Sequence, residues 1–379
     1  MTIVSTLFLA GMFAIVALHW AVPAMRRAEF LAVAGIASLA AIDPASAAAL
    51  AAVTAFTFIA LQRFGAGLRP VLVVLFALLA AFVLYRYFQE PAGLNPRGAL
   101  LIGFAFYLLR AVHYAMERYK GTLPAHGWRE YAAYMLYPPV LLVGPIHRFG
   151  GFLEELRNRH FARDRFSRGL ERILHGYAKV VVVGNYLVSG KFAGLVADME
   201  PGAAREYLEC VEYGLNLYFQ FAGYSDVAVG FSLLLGVRIE ENFDRPFLRR
   251  NIGQFWRAWH MSLSSWCRDY VFMPVAALTR RPYFAMLTSM AVLGVWHELS
   301  WRYLAWGLYH GAGIVAWQMW RQHFDSRLPA VPGRGVTGRI HEFLAILLTV
   351  NFVVLGFAIT KEPDLPGAIR AYRTLFFGG

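Results

Sequence analysis

Apolar runs recur along the whole of this chain, and they decide what it can fold into. They cover residues 3–22, 28–42, 46–61, 68–84, 99–115, 132–146, 173–188, 211–222, 227–237, 284–297, 303–320 and 343–360. The chain is 58% hydrophobic and only 16% charged, against roughly 25% charged residues in soluble domains. A soluble helical protein of this composition would lack the polar surface to cover its core. The pattern predicts an all-α, multi-pass membrane protein with about 9 to 11 spans, the shorter runs being re-entrant or interfacial. No unit repeats and no long linker intervenes, so 1–379 reads as one integral domain. Within it we expect scaffold helices over 1–130, a core over 131–320, and a C-terminal helix and tail over 321–379.

The first run has no basic residue before it and is followed by Arg26 and Arg27. It therefore reads as a retained helix, not a cleaved signal, with its C-terminal end in the cytoplasm. The net charge is +12, carried mostly by clustered arginine. Seven arginines fall between Arg148 and Arg172, and eight between Arg238 and Arg281. Both segments are expected to face the cytoplasm. Such clusters serve topology and attraction to anionic lipid, and they also suit an acidic soluble partner. A nucleic-acid role is not expected, because the charge flanks membrane segments and forms no soluble module. With two cysteines, Cys210 and Cys267, neither a disulfide framework nor a cysteine-rich metal site is expected.

Several segments carry more than scaffold. In 134–152, Pro138, Pro139, Gly144 and Pro145 break regular helix, which at membrane depth is tolerated only inside protein or beside a polar cavity. Tyr224, Ser225 and Asp226 stand at the predicted start of a short apolar helix, where Asp226 suits a helix-start acid. Residues 252–270 read as one amphipathic helix, with Phe255, Trp259, Leu263, Trp266 and Tyr270 on one face. Arg257, His260, Ser264 and Cys267 or Arg268 fall on another. Such a helix either lies in the interface or lines a passage. The stretch after Lys361 carries no signal.

Eleven histidines occur, and two differ from the rest. His260 and His297 both lie deep in tryptophan-flanked apolar sequence, where a titratable side chain is costly and points to function. His310 follows thirteen residues after His297, as a neighbour or as a helix cap. The string HELSW at 297–301 begins like a zinc-protease helix, but Trp301 stands where the second histidine belongs, and no metal is expected. No phosphate-binding loop, dinucleotide fingerprint or nucleophile elbow is present. What remains is general-base chemistry. Burial disfavours an imidazolium, and a neutral imidazole takes the proton of a hydroxyl attacking a carbonyl. A second histidine, or a Trp or Ser donor, would hold the carbonyl oxygen as charge develops.

At these residues the chain resembles the membrane-bound O-acyltransferase family. FWRAWHMSLSSWCRDYVFMP (255–274) is similar to one signature of that family, and VWHELSWRYLAWGLYHG (295–311) to a second. The resemblance runs at least from Tyr137 to Gly311 and is strongest to the bacterial polymer-modifying branch. FAGYS, NFDRPF, NIGQFW and GPIHRF are especially similar to the members that transfer D-alanyl groups, whose length also suits this chain. The resemblance implies helices around a central tunnel in the cytoplasmic (inner) membrane, with His297 catalytic and His260 supporting it.

It further implies a substrate path drawing on Trp296, Glu298, Trp259, Arg257, Ser262, Ser264, Arg268, Asp269, His310, Ser225 and Asp226. No cofactor is bound; the donor is a phosphopantetheine thioester on a small acidic carrier protein, docking at Val271, Phe272, Met273 and Val275. The acceptor is an envelope polymer or its lipid-linked precursor, with an extracytoplasmic transfer partner and membrane lipids as further contacts. Two positions depart from the family pattern. Ala258 replaces an arginine, for which Arg257 can substitute. Glu298 replaces a glycine, and its carboxylate would suit a cationic acyl group such as D-alanyl, alter the acceptor site, or mark an inactive member. The alternatives are an O-acetyltransferase of exopolysaccharide or peptidoglycan, a non-catalytic acyl exporter, and an acyltransferase acting on lipid or protein.

Overall fold

The computed structural model describes residues 5–65, 67–89, 103–324 and 335–378. All its regular elements are helical, with no strand among the described residues. The first residues of the 99–115 run and most of the predicted loop at 327–339 lie outside the described residues.

Four helices are long and apolar enough to cross a membrane: Pro44–Arg63, Leu68–Arg86, Arg163–Ala197 and Val336–Lys361. Three further apolar helices, Thr6–Ala21, Arg27–Ile42 and Pro282–His297, stop at 16 residues, short of the ~20 that a straight crossing needs. Many large apolar side chains on these helices are exposed, among them Leu7, Val33, Val73, Phe76 and Leu348. An apolar surface of that extent fits lipid and not water.

The chain forms two compact units interleaved in sequence. The first comprises Met1–Val180 and Ala222–Glu241, the second Val181–Phe221 and Asn242–Gly379. Neither boundary expected from sequence, at 130 or at 320, coincides with a boundary between them.

In the first unit the core is aromatic: Tyr107, Tyr114, Tyr131, Tyr134, Tyr137, Phe149 and Phe231 are fully buried. The proline-rich segment breaks as expected. Helix Trp128–Met135 gives way to a single turn at Pro138–Val140, and irregular backbone runs on to the helix at Phe149. Two glycine pairs bring helices together. A Cβ on Gly176 would meet the Gly223 carbonyl oxygen at 2.6 Å, and one on Gly230 would meet that of Gly169 at 2.7 Å. Between these contacts Arg172 and Lys179 reach across to Asp226. The expected short helix beginning at Tyr224 does not exist. Residues 211–222 and 227–237 belong largely to one helix, Ala203–Leu234, so Asp226 lies mid-helix and pairs with cations.

In the second unit, Pro282–His297 and Trp301–Phe324 form an antiparallel hairpin closed by Glu298, Leu299 and Ser300. The backbones touch: a Cβ on Gly294 would lie 2.2 Å from the Tyr303 carbonyl oxygen, and one on Gly307 2.3 Å from that of Met290. Small residues permit such contact, which van der Waals packing rewards where lipid surrounds the helices. The amphipathic helix expected over 252–270 is broken. Ile252–Trp256 ends, the chain turns, and helix resumes at Met261–Cys267. The break falls at His260, whose φ is +42°, so Phe255 and Trp259 do not share one continuous helix face with Leu263, Trp266 and Tyr270. The tail also differs from expectation. Asp364 accepts from the Gly367 amide at 2.7 Å and starts a helix, Leu365–Phe377.

Candidate active site

The second unit brings His260 and His297 together, with ring centroids 6.4 Å apart. His260 is buried and His297 half-buried. The separation exceeds a direct hydrogen bond and leaves room for one bridging oxygen, the arrangement a general base needs around an attacking hydroxyl.

His260 owes its position to its backbone. A left-handed φ is uncommon for a non-glycine residue and survives where the surroundings over-determine it. Here Asn242 does so twice: its carbonyl accepts from the Met261 amide at 2.9 Å, and its Oδ1 accepts from the Ser262 hydroxyl at 2.6 Å. The Asp244 amide also donates to the Ala258 carbonyl at 3.0 Å. The NFD stretch thus fastens the turn on both sides of the histidine. The ring then stands edge-on against Phe221 at 4.6 Å and faces Trp296 at 6.2 Å.

His297 is the last residue of its helix. Around it stand Trp296 at 4.9 Å, Trp306 at 5.6 Å and Tyr303 at 5.9 Å between ring centroids. The tight glycine contact carries Trp306 and His310 to this place, and these two share a helix face by their four-residue spacing. Trp306 is 5.0 Å from His310 and 5.8 Å from Trp256, and Trp256 is 5.2 Å from His310. Within this triangle the Nε1 atoms of Trp256 and Trp306 and Nδ1 of His310 are buried and meet no hydrogen-bonding partner. Buried polar atoms in that state are unusual. A site with two indole N–H donors beside a half-buried imidazole can hold a carbonyl oxygen.

The other expected site residues divide. Trp259 packs among Phe243, Phe247 and Phe255 as a core aromatic. The Ser264 hydroxyl donates to the Trp259 carbonyl at 3.0 Å. Arg268 pairs with its neighbour Asp269 at 2.8 Å, largely exposed. Glu298 pairs with Arg302 at 2.6 Å, and Arg302 also donates to the Glu362 carbonyl. Ser225 and Asp226 belong to the first unit, where Asp226 accepts from Arg172 at 2.7 Å and from Lys179 at 2.5 Å.

Arg257 and Ala258 line a cleft of about 600 Å³ together with Asp244, Arg249, Arg250 and Glu342. Val271, Phe272, Met273 and Val275 lie on helical turns with no buried residue, and Met273 is exposed. Trp256, Trp306, Tyr303, Asn242 and Arg302 were not foreseen.

Comparison with known proteins gives the family of the chain. The profile of MBOAT, the membrane-bound O-acyltransferase family, matches residues 208–354. A probable alginate O-acetylase of Pseudomonas aeruginosa is 31% identical over 289 residues, 74% of this chain and 52% of that protein. A teichoic acid D-alanyltransferase of Streptococcus thermophilus is 32% identical over 297 residues, 71% of this chain and 70% of that protein. A peptidoglycan O-acetyltransferase of Helicobacter pylori is 24% identical over 253 residues, 64% and 46% respectively. The chain spans little more than half the length of the alginate O-acetylases it matches. With the histidine motifs inside the matched region and a relative above 30% identity aligned over more than two thirds of both chains, this chain belongs to the membrane-bound O-acyltransferase family.

Proposed function

We propose that the chain is an O-acyltransferase of the cytoplasmic membrane, moving a short acyl group from a thioester to a hydroxyl of an envelope polymer or its lipid-linked precursor. The observation that carries this reading is the pair of imidazoles, His260 and His297, 6.4 Å apart beside the indoles of Trp256 and Trp306. His297 takes the proton of the acceptor hydroxyl as its oxygen attacks the acyl carbon. The carbon–oxygen bond forms, the carbon–sulfur bond breaks, and the proton passes to the departing sulfur. The indole N–H groups stabilise the negative charge on the acyl oxygen in between. His260 orients His297 or the attacking hydroxyl through one bridging oxygen.

Acetyl fits as the acyl group. Glu298, the carboxylate nearest His297 in sequence, is engaged by Arg302 and does not stand free as a counter-ion for a D-alanyl ammonium. D-alanyl is the second reading, favoured by the length of the match to the D-alanyltransferase. The donor would be carried to the cytoplasmic face by a small acidic carrier protein. The unburied Met273–Thr279 turn suits docking. An extracytoplasmic partner would receive the ester or present the acceptor.

Cells carrying His297→Ala test the reading. Envelope polymer is isolated and its ester-linked groups are measured by mass, with membrane insertion checked in parallel. We expect ester loss of at least ~100-fold at unchanged insertion. Full retention of ester overturns the catalytic role, and acyl carrier moved across the bilayer with no ester formed identifies an exporter instead. The mass of the released group separates acetyl from D-alanyl.

A further inference from the structure

The acyl-transfer reading makes no use of the cleft lined by Arg249, Arg250 and Arg257. This cleft belongs to the second unit, holds about 600 Å³, and is lined also by Asp244, Gln254 and Glu342. Three guanidiniums meet two carboxylates there, so one positive charge is in excess. Arg249 pairs with Asp244, and Arg250 pairs with Glu342 at 2.6 Å.

Those pairs do not use up the donors. Arg249 spends Nε and Nη2 on Asp244, and Arg250 spends the same two nitrogens on Glu342. Exposed Arg257 spends only Nε, on the Gly253 carbonyl at 3.2 Å. Gln254 Oε1 accepts from the Arg250 amide at 3.2 Å, which leaves the side-chain NH₂ group to donate. Among the described residues, Nη1 of Arg249 and Arg250 and both Nη atoms of Arg257 make no hydrogen bond. An open cleft with unspent N–H forks and excess positive charge recognises an oxyanion.

The depth of the cleft in the membrane selects the source of that oxyanion. Glu342 lies on Val336–Lys361, a helix long and apolar enough to cross a membrane. Residues 343–360 carry no charge and span about 27 Å of helix, close to the ~30 Å of bilayer hydrocarbon. Glu342 therefore stands where hydrocarbon meets headgroups. The opposite wall agrees: a Cβ on Gly253 would meet the Trp317 ring at 2.7 Å, and Trp320, nearly one turn further on, is exposed. Tryptophans gather at that boundary. Leu248 on the cleft wall is exposed, as are Ile340, Phe343 and Leu344 around Glu342, and they offer an apolar surface to acyl chains. Basic pockets beside membrane helices bind anionic headgroups.

We propose that Arg249, Arg250, Gln254 and Arg257 bind the headgroup phosphate of an anionic phospholipid, whose chains run along the exposed apolar side chains of Val336–Lys361. The site is independent of the histidine chemistry, and its test reads lipid binding and not ester.

The full chain is purified in neutral detergent, and its thermal unfolding is followed while phosphatidylglycerol or phosphatidylcholine is added in mixed micelles. We expect phosphatidylglycerol to raise the midpoint by about 2 °C or more, with no rise from phosphatidylcholine. Arg257→Gln should need about tenfold more lipid for the same rise. Arg168→Gln, at an exposed arginine of the first unit, should respond like wild type. Equal responses to the two lipids, or an Arg257→Gln response equal to wild type, overturn the site. An Arg168→Gln response as weak as that of Arg257→Gln also overturns it, since net charge alone would then explain the binding. Inorganic phosphate and phosphopantetheine are titrated in parallel at constant ionic strength. An Arg257-dependent rise with either of these but not with phosphatidylglycerol assigns the cleft to a soluble anion and overturns the lipid assignment. If Arg257→Gln does not fold, Arg250→Gln decides by the same criterion.

Discussion

The carboxylate of Glu298 lies 2.6 Å from the guanidinium of Arg302, one helical turn further on. Arg302 is 12% exposed in its side chain and reaches on to the Glu362 carbonyl. The pair ties the start of one helix to the end of another. In the family pattern that the chain resembles, this position is glycine. Here the extra charge is paired locally with Arg302.

Glu298→Gln should therefore act on stability and not on substrate choice. Weakening a partly buried, charge-assisted bond costs about 1–2 kcal/mol, to be read as a lowered unfolding midpoint. The KM ratio between a cationic and an uncharged acyl donor should stay at the wild-type value. A selective rise in KM for the cationic donor would return Glu298 to the substrate path.

The left-handed backbone at His260 separates two roles of one residue. His260→Gly removes the imidazole but fits φ of +42°, whereas His260→Ala removes the imidazole and keeps the strain. The glycine variant should be the more stable of the two by about 1 kcal/mol, measured by thermal unfolding. Both should lose activity to a similar degree. If alanine proves as stable as glycine, the turn is not strained as described.

Gly294→Ala probes the hairpin. A Cβ there would lie 2.2 Å from the Tyr303 carbonyl oxygen, and backbone cannot yield as a flexible side chain can. We expect a loss of about 1–3 kcal/mol together with reduced ester formation, because the helix carrying Trp306 and His310 must move away from His297. Gly11→Ala, where nothing lies within 4 Å, serves as the control and should leave both readouts unchanged.

Trp306→Phe keeps an aromatic ring beside His297 and removes the N–H. Losing one donor to the acyl oxygen should lower kcat by about 100-fold with little change in KM. A rise in KM at constant kcat would make Trp306 a packing surface for substrate instead.

Much of this was legible in the sequence, and the failures share a cause. Apolar runs marked most of the long helices but not shorter ones such as Phe149–Asn158, Met273–Thr279 and Leu365–Phe377, and Pro138, Pro139 and Pro145 announced the broken segment because proline acts locally. Periodicity failed at 252–270, since the break at His260 depends on hydrogen bonds that Asn242, much earlier in the chain, accepts from Met261 and Ser262. It failed again at Tyr224–Asp226, where cations on another helix accommodate an acid in mid-helix. The two histidines stood out from their setting, and their rings lie 6.4 Å apart. Trp256 and Trp306 were not, because an indole in an apolar chain reads as packing until its N–H is found without a partner.

Position 260 also bears on how this gene can change. Histidine and asparagine codons differ by one base, and asparagine tolerates a left-handed backbone better than most residues. That single step would leave a chain that folds and inserts yet has no imidazole at 260. On the role proposed for His260, activity could thus be lost while the fold is kept.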